Sequence, residues 1–164
     1  PREKAIDAVL LEVDGQPFSE IDPATWEVVV EGNKASGLYV LASGAMVETA
    51  KQALLGLSSA GIKPTLINAR SIKPLDEKLL ASLLSQPGAR IVTLEEGVLT
   101  GGFGSAVLEY GAKLRFSKPG AKLAEVACIA LPDQFVEHGA RPILLDQVGL
   151  SVDKISETMT EFFA

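Results

Sequence analysis

Apolar residues along this chain follow two alternating spacings. Short, nearly continuous apolar runs predict strands near residues 38–42, 65–68, 90–94 and 122–131. Apolar residues at helical spacing follow each of the first three runs and predict helices over residues 46–57, 77–85 and 103–114. A short helix over residues 141–148 and a final helix after Ser151 complete the pattern.

Residues at the predicted helix ends support these assignments. Asp76 can accept hydrogen bonds from the free amides that begin the second helix, and Leu75 and Leu80 have the spacing of a hydrophobic staple. Gly61 is placed to end the first helix. Ser151 caps the last helix, whose expected buried face is Val152, Ile155, Met159 and Phe162.

The alternation of strands and helices predicts an α/β fold with three α/β/α layers. Short connections favour a mostly parallel sheet of about five strands, with helices covering both faces. The segment 26–30 adds a candidate edge strand. We therefore expect a domain over residues 26–164, preceded by a linker or the end of another domain in residues 1–25. Because the first residue is not Met, we expect a fragment or a processed product.

Composition narrows the classes of function. The 164 residues are 47% hydrophobic and carry a formal net charge of −6, with no long run of Lys or Arg. Nucleic-acid binding is therefore not expected. No apolar stretch approaches the roughly 18 residues that span a bilayer, so no membrane partner is expected either. The single cysteine, Cys128, lies in an apolar run, which favours a buried structural thiol and a reducing compartment.

The glycine-rich turn Gly101-Gly-Phe-Gly104 admits two interpretations. Glycines at the start of a helix let backbone amides approach a phosphate closely. However, Val107 stands where the dinucleotide pattern requires a small residue, and no Gly-Lys-Ser/Thr sequence is present. We therefore favour a close-packed turn between strand and helix over a nucleotide site.

Two adjacent carboxylates, Glu95 and Glu96, follow the third predicted strand. Period-two geometry directs them to opposite faces, so paired acid/base catalysis is not expected. One of them can instead form an ion pair with Arg70 or Lys73 from the neighbouring strand end. A solvated surface pair is the equally weighted alternative.

Metal binding, anion binding and hydrolysis have little support in the sequence. His138 is the only histidine and has no cysteine nearby, so a metal site is not expected, and hydrogen bonding or acid/base use at an interface is the minor alternative. Arg70 and Lys73 can attract an anion, but structural salt bridges are the preferred interpretation. No serine or cysteine sits in a hydrolase motif.

Four separated motifs resemble one family. They are Asn68-Ala-Arg-Ser-Ile-Lys-Pro-Leu-Asp76, Thr93-Leu-Glu-Glu-Gly97 with Gly101-Gly-Phe-Gly-Ser105, Leu131-Pro-Asp-Gln-Phe-Val-Glu-His-Gly139, and Leu145-Asp-Gln-Val-Gly-Leu150. Together they resemble the C-terminal domain of thiamine-diphosphate enzymes of the transketolase type. The last two favour the 1-deoxy-D-xylulose-5-phosphate synthases within that family.

The resemblance implies a part in a larger enzyme. Such synthases condense pyruvate with glyceraldehyde 3-phosphate, with loss of carbon dioxide, in isoprenoid precursor synthesis. In this family the first domain holds thiamine diphosphate and Mg²⁺ through a Gly-Asp-Gly motif, and the second, pyrimidine-binding domain supplies the activating glutamate. No Gly-Asp-Gly occurs in this chain. The resemblance therefore implies that the chain alone binds neither cofactor, has no catalytic residue and is inert.

The resemblance also implies partners and a location. The expected partners are the preceding domains of the same polypeptide and a second subunit of a homodimer, in a bacterial cytoplasm or a plastid. The candidate loop and interface residues are Arg70, Lys73, Glu95, Glu96, Gly101, Gly102, Gly104, Asp133 and His138. Two alternatives stay open: the C-terminal domain of a 2-oxo acid dehydrogenase E1 β chain, and a non-catalytic interaction module.

Overall fold

Five strands form the central sheet of the computed structural model. The structure describes residues 21–164 together with two short strands, β1 (Glu12–Val13) and β2 (Gln16–Pro17), which pair with each other. The sheet has the order β3-β5-β4-β6-β7, and its strands are β3 (Glu27–Val30), β4 (Leu38–Ala42), β5 (Thr65–Asn68), β6 (Arg90–Val98) and β7 (Glu125–Leu131). Strands β4 to β7 are parallel, and β3 lies antiparallel to β5 at the edge. The predicted fold class is confirmed.

Helices cover both faces of this sheet because its central strands are apolar on both sides. One core cluster joins the sheet to α1 (Met46–Ser59) and α5 (Val152–Phe163), with α4 (Arg141–Gln147) ending beside it. The other cluster joins the opposite face to α2 (Glu77–Leu84) and α3 (Phe103–Ser117). The three predicted layers are therefore present. No helix of the described residues is long and apolar enough to cross a membrane.

The structure corrects three details of the sequence prediction. Strand β6 extends to Val98, and β7 begins at Glu125, three residues after the predicted start. On α5 the buried aromatic residue is Phe163, while Phe162 is only partly buried. Cys128 is half-buried instead of fully buried, because β7 pairs with β6 alone among the described strands.

Trp26 fixes the edge strand β3 to the rest of the fold. Its side chain is buried, and its ring meets Phe103 edge to face, with centroids 5.7 Å apart. The indole N–H donates to the carbonyl of Ser71 at 2.8 Å, which satisfies the polar end of the ring. The backbone amide of Trp26 donates to Asp76 Oδ2 at 3.0 Å.

Asp76 performs two tasks with its two carboxylate oxygens. Oδ1 accepts the amide of Leu79 at 2.9 Å, which confirms the predicted cap of α2. Oδ2 accepts the amide of Trp26, a contact between residues 50 positions apart in the chain. A single side chain therefore begins a helix and holds an edge strand.

We predict that Asp76→Ala destabilises the chain by about 1–2 kcal/mol, because the cap of α2 and the acceptor for Trp26 are both lost. Urea unfolding followed by the fluorescence of Trp26, the only tryptophan, measures this change. Asp76→Asn keeps an acceptor for Leu79 and serves as the matched control. Equal stability of the alanine variant and the parent chain would contradict the double role.

Candidate functional site

The nine candidate residues lie together at the carboxyl edge of the parallel strands. Arg70 and Lys73 follow β5, the two glutamates lie in the second half of β6, and Asp133 and His138 lie in the loop after β7. The glycine-rich turn connects β6 to α3 at the same edge. Open α/β sheets carry their functional loops there, because parallel strands all end on that side.

Glu95 is a buried carboxylate that closes the start of α3. Its side chain is only 5% exposed. Oε2 accepts the amide of Phe103 and Oε1 accepts the amide of Gly104, both at 2.8 Å. These amides are among the free donors that begin a helix, where a negative charge is favoured. Glu95 therefore acts as the N-terminal cap of α3 from a neighbouring strand.

Two glycines of the turn are required by close packing. A Cβ on Gly102 would lie 2.3 Å from the carbonyl oxygen of Val98 and 2.5 Å from Glu95 Oε2. A Cβ on Gly104 would lie 2.8 Å from the sulfur of Cys128. Gly101 has a φ of +76°, a left-handed conformation that side chains rarely adopt. The favoured interpretation of a close-packed turn is confirmed.

The carboxylate of Glu95 occupies two of the backbone amides at this helix start. Phosphate binding at a helix needs free amides, and those of Phe103 and Gly104 are already bonded. Nearby, burial raises the pKa of the Cys128 thiol, which disfavours the thiolate needed for nucleophilic chemistry. The turn is therefore built for packing.

The ion pairs at this edge differ from the prediction. Arg70 contacts Glu27 at 3.3 Å, and Glu96 contacts Arg141 at 2.5 Å. The expected pair between a β6 glutamate and Arg70 or Lys73 was wrong, and so was a solvated glutamate pair. Arg70 instead joins β5 to the antiparallel strand β3. Glu96 ties the start of α4 to the end of β6.

Six of the nine candidate residues are exposed: Arg70, Lys73, Glu96, Gly101, Asp133 and His138. Three of them, Lys73, Asp133 and His138, form no ion pair with another described residue. Within residues 21–164 the structure contains no group of three His, Cys, Asp or Glu side chains that could hold a metal ion. These three side chains therefore form part of the exposed surface at this edge.

Sequence reasoning missed three contributors to this edge. Trp26 was assigned to a strand, but its ring packs on Phe103 beside the turn. Glu27 and Arg141 pair with Arg70 and Glu96 from distant parts of the chain. No local signal identifies such partners, since each pair depends on the order of the strands.

The chain is therefore an α/β domain. Close packing at the glycine-rich turn and two ion pairs shape the carboxyl edge of its sheet. Comparison with known proteins identifies it further. The family model "Transketolase, C-terminal domain" matches residues 24–155, and the chain belongs to this family.

Curated relatives of the chain are 1-deoxy-D-xylulose-5-phosphate synthases. The synthase of Shouchella clausii is 41% identical over 142 residues, which cover 87% of this chain and 21% of that protein. The synthase of Desulforudis audaxviator is 43% identical over 132 residues, which cover 80% of this chain and 19% of that protein. The chain thus spans about one fifth of the length of these relatives.

Solved structures of transketolases share the fold. A split-gene transketolase, described as an inactive β4 tetramer, matches with a TM-score of 0.68 and 26% identity, over 90% of this chain and 44% of that chain. A transketolase mutant from Pichia stipitis matches with a TM-score of 0.58 and 17% identity, over 84% of this chain and 18% of that chain. The second likeness concerns the fold alone.

We predict that Glu95→Gln lowers the free energy of unfolding by about 1–3 kcal/mol, because a neutral amide leaves a buried donor of α3 without a good acceptor. Chemical denaturation measures the loss. Glu96→Gln is the matched control: this neighbour is more exposed, and its ion pair should contribute less than about 1 kcal/mol. Equal losses in the two variants would contradict the capping role.

We predict that Gly102→Ala destabilises the chain by about 2 kcal/mol or more, because its new methyl group meets fixed backbone and the Glu95 carboxylate. Gly111→Ala, within α3, is the control. A Cβ there meets only Leu84 Cδ1 at 3.9 Å, so the variant should match or exceed the parent in stability. Thermal unfolding of both variants measures the difference, and a stable Gly102→Ala variant would disprove the steric argument.

Proposed function

We propose that this chain is the C-terminal domain of a 1-deoxy-D-xylulose-5-phosphate synthase. In the complete enzyme it serves the condensation of pyruvate with glyceraldehyde 3-phosphate, with loss of carbon dioxide. Residues 26–164 form the domain, and residues 1–25 link it to a preceding pyrimidine-binding domain. Alone, the chain is inert.

The observation that carries this proposal is the identity to the curated synthases. Relatives at 36–43% identity cover about four fifths or more of the chain. They favour the synthase over the E1 β chain and over a free-standing module. The synthases compared are bacterial, and the single cysteine suits a reducing compartment, which together favour a bacterial cytoplasm.

The described residues do not fit thiamine diphosphate and Mg²⁺. The helix start most suited to a diphosphate is bonded to Glu95, and the part of the chain from residue 21 onward offers no cluster of metal ligands. The sequence has no Gly-Asp-Gly motif. In the proposed enzyme these groups bind to the other domains, and this domain contributes to the assembly.

The carboxyl edge supplies a surface for that assembly. Four residues at this edge expose large apolar side chains, and Phe135 is 94% exposed. Val98 ends β6, while Ile72, Leu99 and Phe135 lie in the loops that follow strands. Exposed apolar groups that are gathered on one edge are typical of a surface that another domain covers. The charged and polar candidates Arg70, Lys73, Asp133 and His138 are placed to contact the preceding domains there.

The test is a domain exchange. We expect a chimera that carries residues 24–164 in place of the C-terminal domain of the Shouchella clausii synthase to form product from pyruvate and glyceraldehyde 3-phosphate. The chain alone should form none, and calorimetry should detect no micromolar binding of thiamine diphosphate with Mg²⁺. Gly111→Ala in the chimera is the neutral control. Turnover or tight cofactor binding by the chain alone would refute the inert-domain proposal, and a folded but inactive chimera would refute the synthase assignment.

A further inference from the structure

A groove lies between α3 and the start of β7. Its volume is about 740 Å³, which is within the range of small-molecule sites. Leu84 and Val107 form its floor and are 1% and 0% exposed. Leu108 and Phe116 of α3 line one wall, and Val126 of β7 lines the other. The body of the groove is therefore apolar.

Backbone hydrogen bonds hold the lower wall of this groove in place. The amide of Ala124 donates to the carbonyl of Leu84 at 2.8 Å, and the amide of Glu125 donates to the carbonyl of Ala89 at 3.0 Å. The segment that enters β7 is thereby fixed against the end of α2. The groove is formed by the fold itself, as is usual for small-molecule sites.

A second cavity of about 500 Å³ continues the groove at the edge where the parallel strands begin. The two cavities share Arg115, Leu123 and Glu125, and the second adds Arg90 and Lys122. Three cations and one carboxylate give this mouth a local charge of +2, whereas the whole chain carries −6. The mouth therefore favours an anion, which the rest of the surface repels.

Two of these cations are available to a ligand. Arg90 is already engaged, because Nη1 donates to the carbonyl of Phe162 at 3.0 Å and Nε lies 4.0 Å from Glu125 Oε2. Arg115 and Lys122 are exposed and form no ion pair with another described residue. Arg90 thus offsets Glu125, and the other two can bind one anionic group together.

The length of the groove sets the size of the ligand. It follows α3 from Val107 to Arg115, eight residues further on. This distance is about 12 Å, which is the length of an extended chain of about ten carbons. The helix dipole accounts for a cation in the last turn of α3, but not for Lys122, which lies outside the helix. An apolar body with cations at one end only selects a ligand with a single charged end.

We propose that this groove binds a free single-chain amphiphile, an apolar chain of about ten carbons that ends in a carboxylate or a phosphate. Its chain lies over Leu84 and Val107, and its anionic end lies between Arg115 and Lys122. The site goes beyond the proposed synthase function. It is built from residues other than those of the carboxyl edge, so it does not depend on how that edge assembles.

Calorimetric titration of the complete 164-residue chain with dodecanoate, below its micelle concentration, tests the proposal. We expect saturable binding of one dodecanoate per chain. Hexanoate should bind at least tenfold more weakly, because fewer methylene groups are buried. Inorganic phosphate alone should give no measurable heat, because it lacks the apolar part. Heat from dodecanoate that does not saturate, or equal affinity for hexanoate, would overturn the proposal.

A pair of double variants tests the charged end. Arg115→Gln with Lys122→Gln should weaken dodecanoate binding about tenfold, since two ion pairs at an exposed mouth are lost. Lys113→Gln with Lys118→Gln removes the same charge from residues that line neither cavity, and should leave the affinity unchanged. Equal weakening in both double variants would mean that only net charge attracts the ligand, and would overturn the site.

A second pair of variants tests the apolar wall. Phe116 and Leu55 are 90% and 73% exposed, and only Phe116 lines the groove. Phe116→Ala should weaken dodecanoate binding about threefold, because apolar contact is lost, while Leu55→Ala should not. Both side chains are exposed, so neither change should unfold the chain. Equal affinities of the two variants would mean adsorption to exposed apolar groups, which would contradict the proposal.

Vesicles distinguish a free amphiphile from a bilayer lipid with the same charged group. The chain should not sediment with vesicles of phosphatidylcholine and phosphatidylglycerol. Sedimentation with these vesicles in the absence of dodecanoate binding would mean that the cations contact a membrane surface, and would overturn the proposal. All these measurements use the isolated chain and no turnover, so the site and the synthase assignment can fail separately.

Discussion

The hydrogen bonds from the start of α3 to the carboxylate of Glu95 are the constraint on which this edge of the molecule depends. They are made inside the protein, where an unpaired carboxylate would be costly. To reach them the chain must turn tightly after β6, which leaves no space for a side chain at Gly102. This tight turn also places Phe103 in the core, against the ring of Trp26.

A second anchor joins the outermost strand to the same region. Asp76 holds the backbone of Trp26 while it caps α2, and Ser71 accepts the indole proton. Because these contacts link residues from β3, the loop after β5 and α2, they hold the antiparallel edge strand in place. Packing between Trp26 and Phe103 then connects this edge to α3, so the two anchors support each other.

These contacts explain why the turn after β6 resembles a phosphate site and yet is closed by the protein's own carboxylate. A glycine-rich turn at a helix start is a common phosphate site, but here the protein's own carboxylate takes the available amides. What the carboxyl edge offers to other molecules is its exposed surface, which includes Phe135 and Ile72. Such a surface is the basis of the assembly role proposed above.

The sequence by itself determined the order and type of the main elements, because apolar spacing and caps such as Asp76 and Ser151 act within a few residues. A mostly parallel sheet with a candidate edge strand at residues 26–30 followed from that order, but the antiparallel pairing of this strand with β5 is known only from the tertiary structure. Only the tertiary structure decided which charged residues form ion pairs. Arg70 pairs with Glu27 and Glu96 pairs with Arg141, because the order of the strands sets the distances between them. The same holds for Glu95. The sequence shows that Glu95 is next to Glu96. Whether Glu95 is buried against α3 depends on where the turn after β6 places the first residues of that helix.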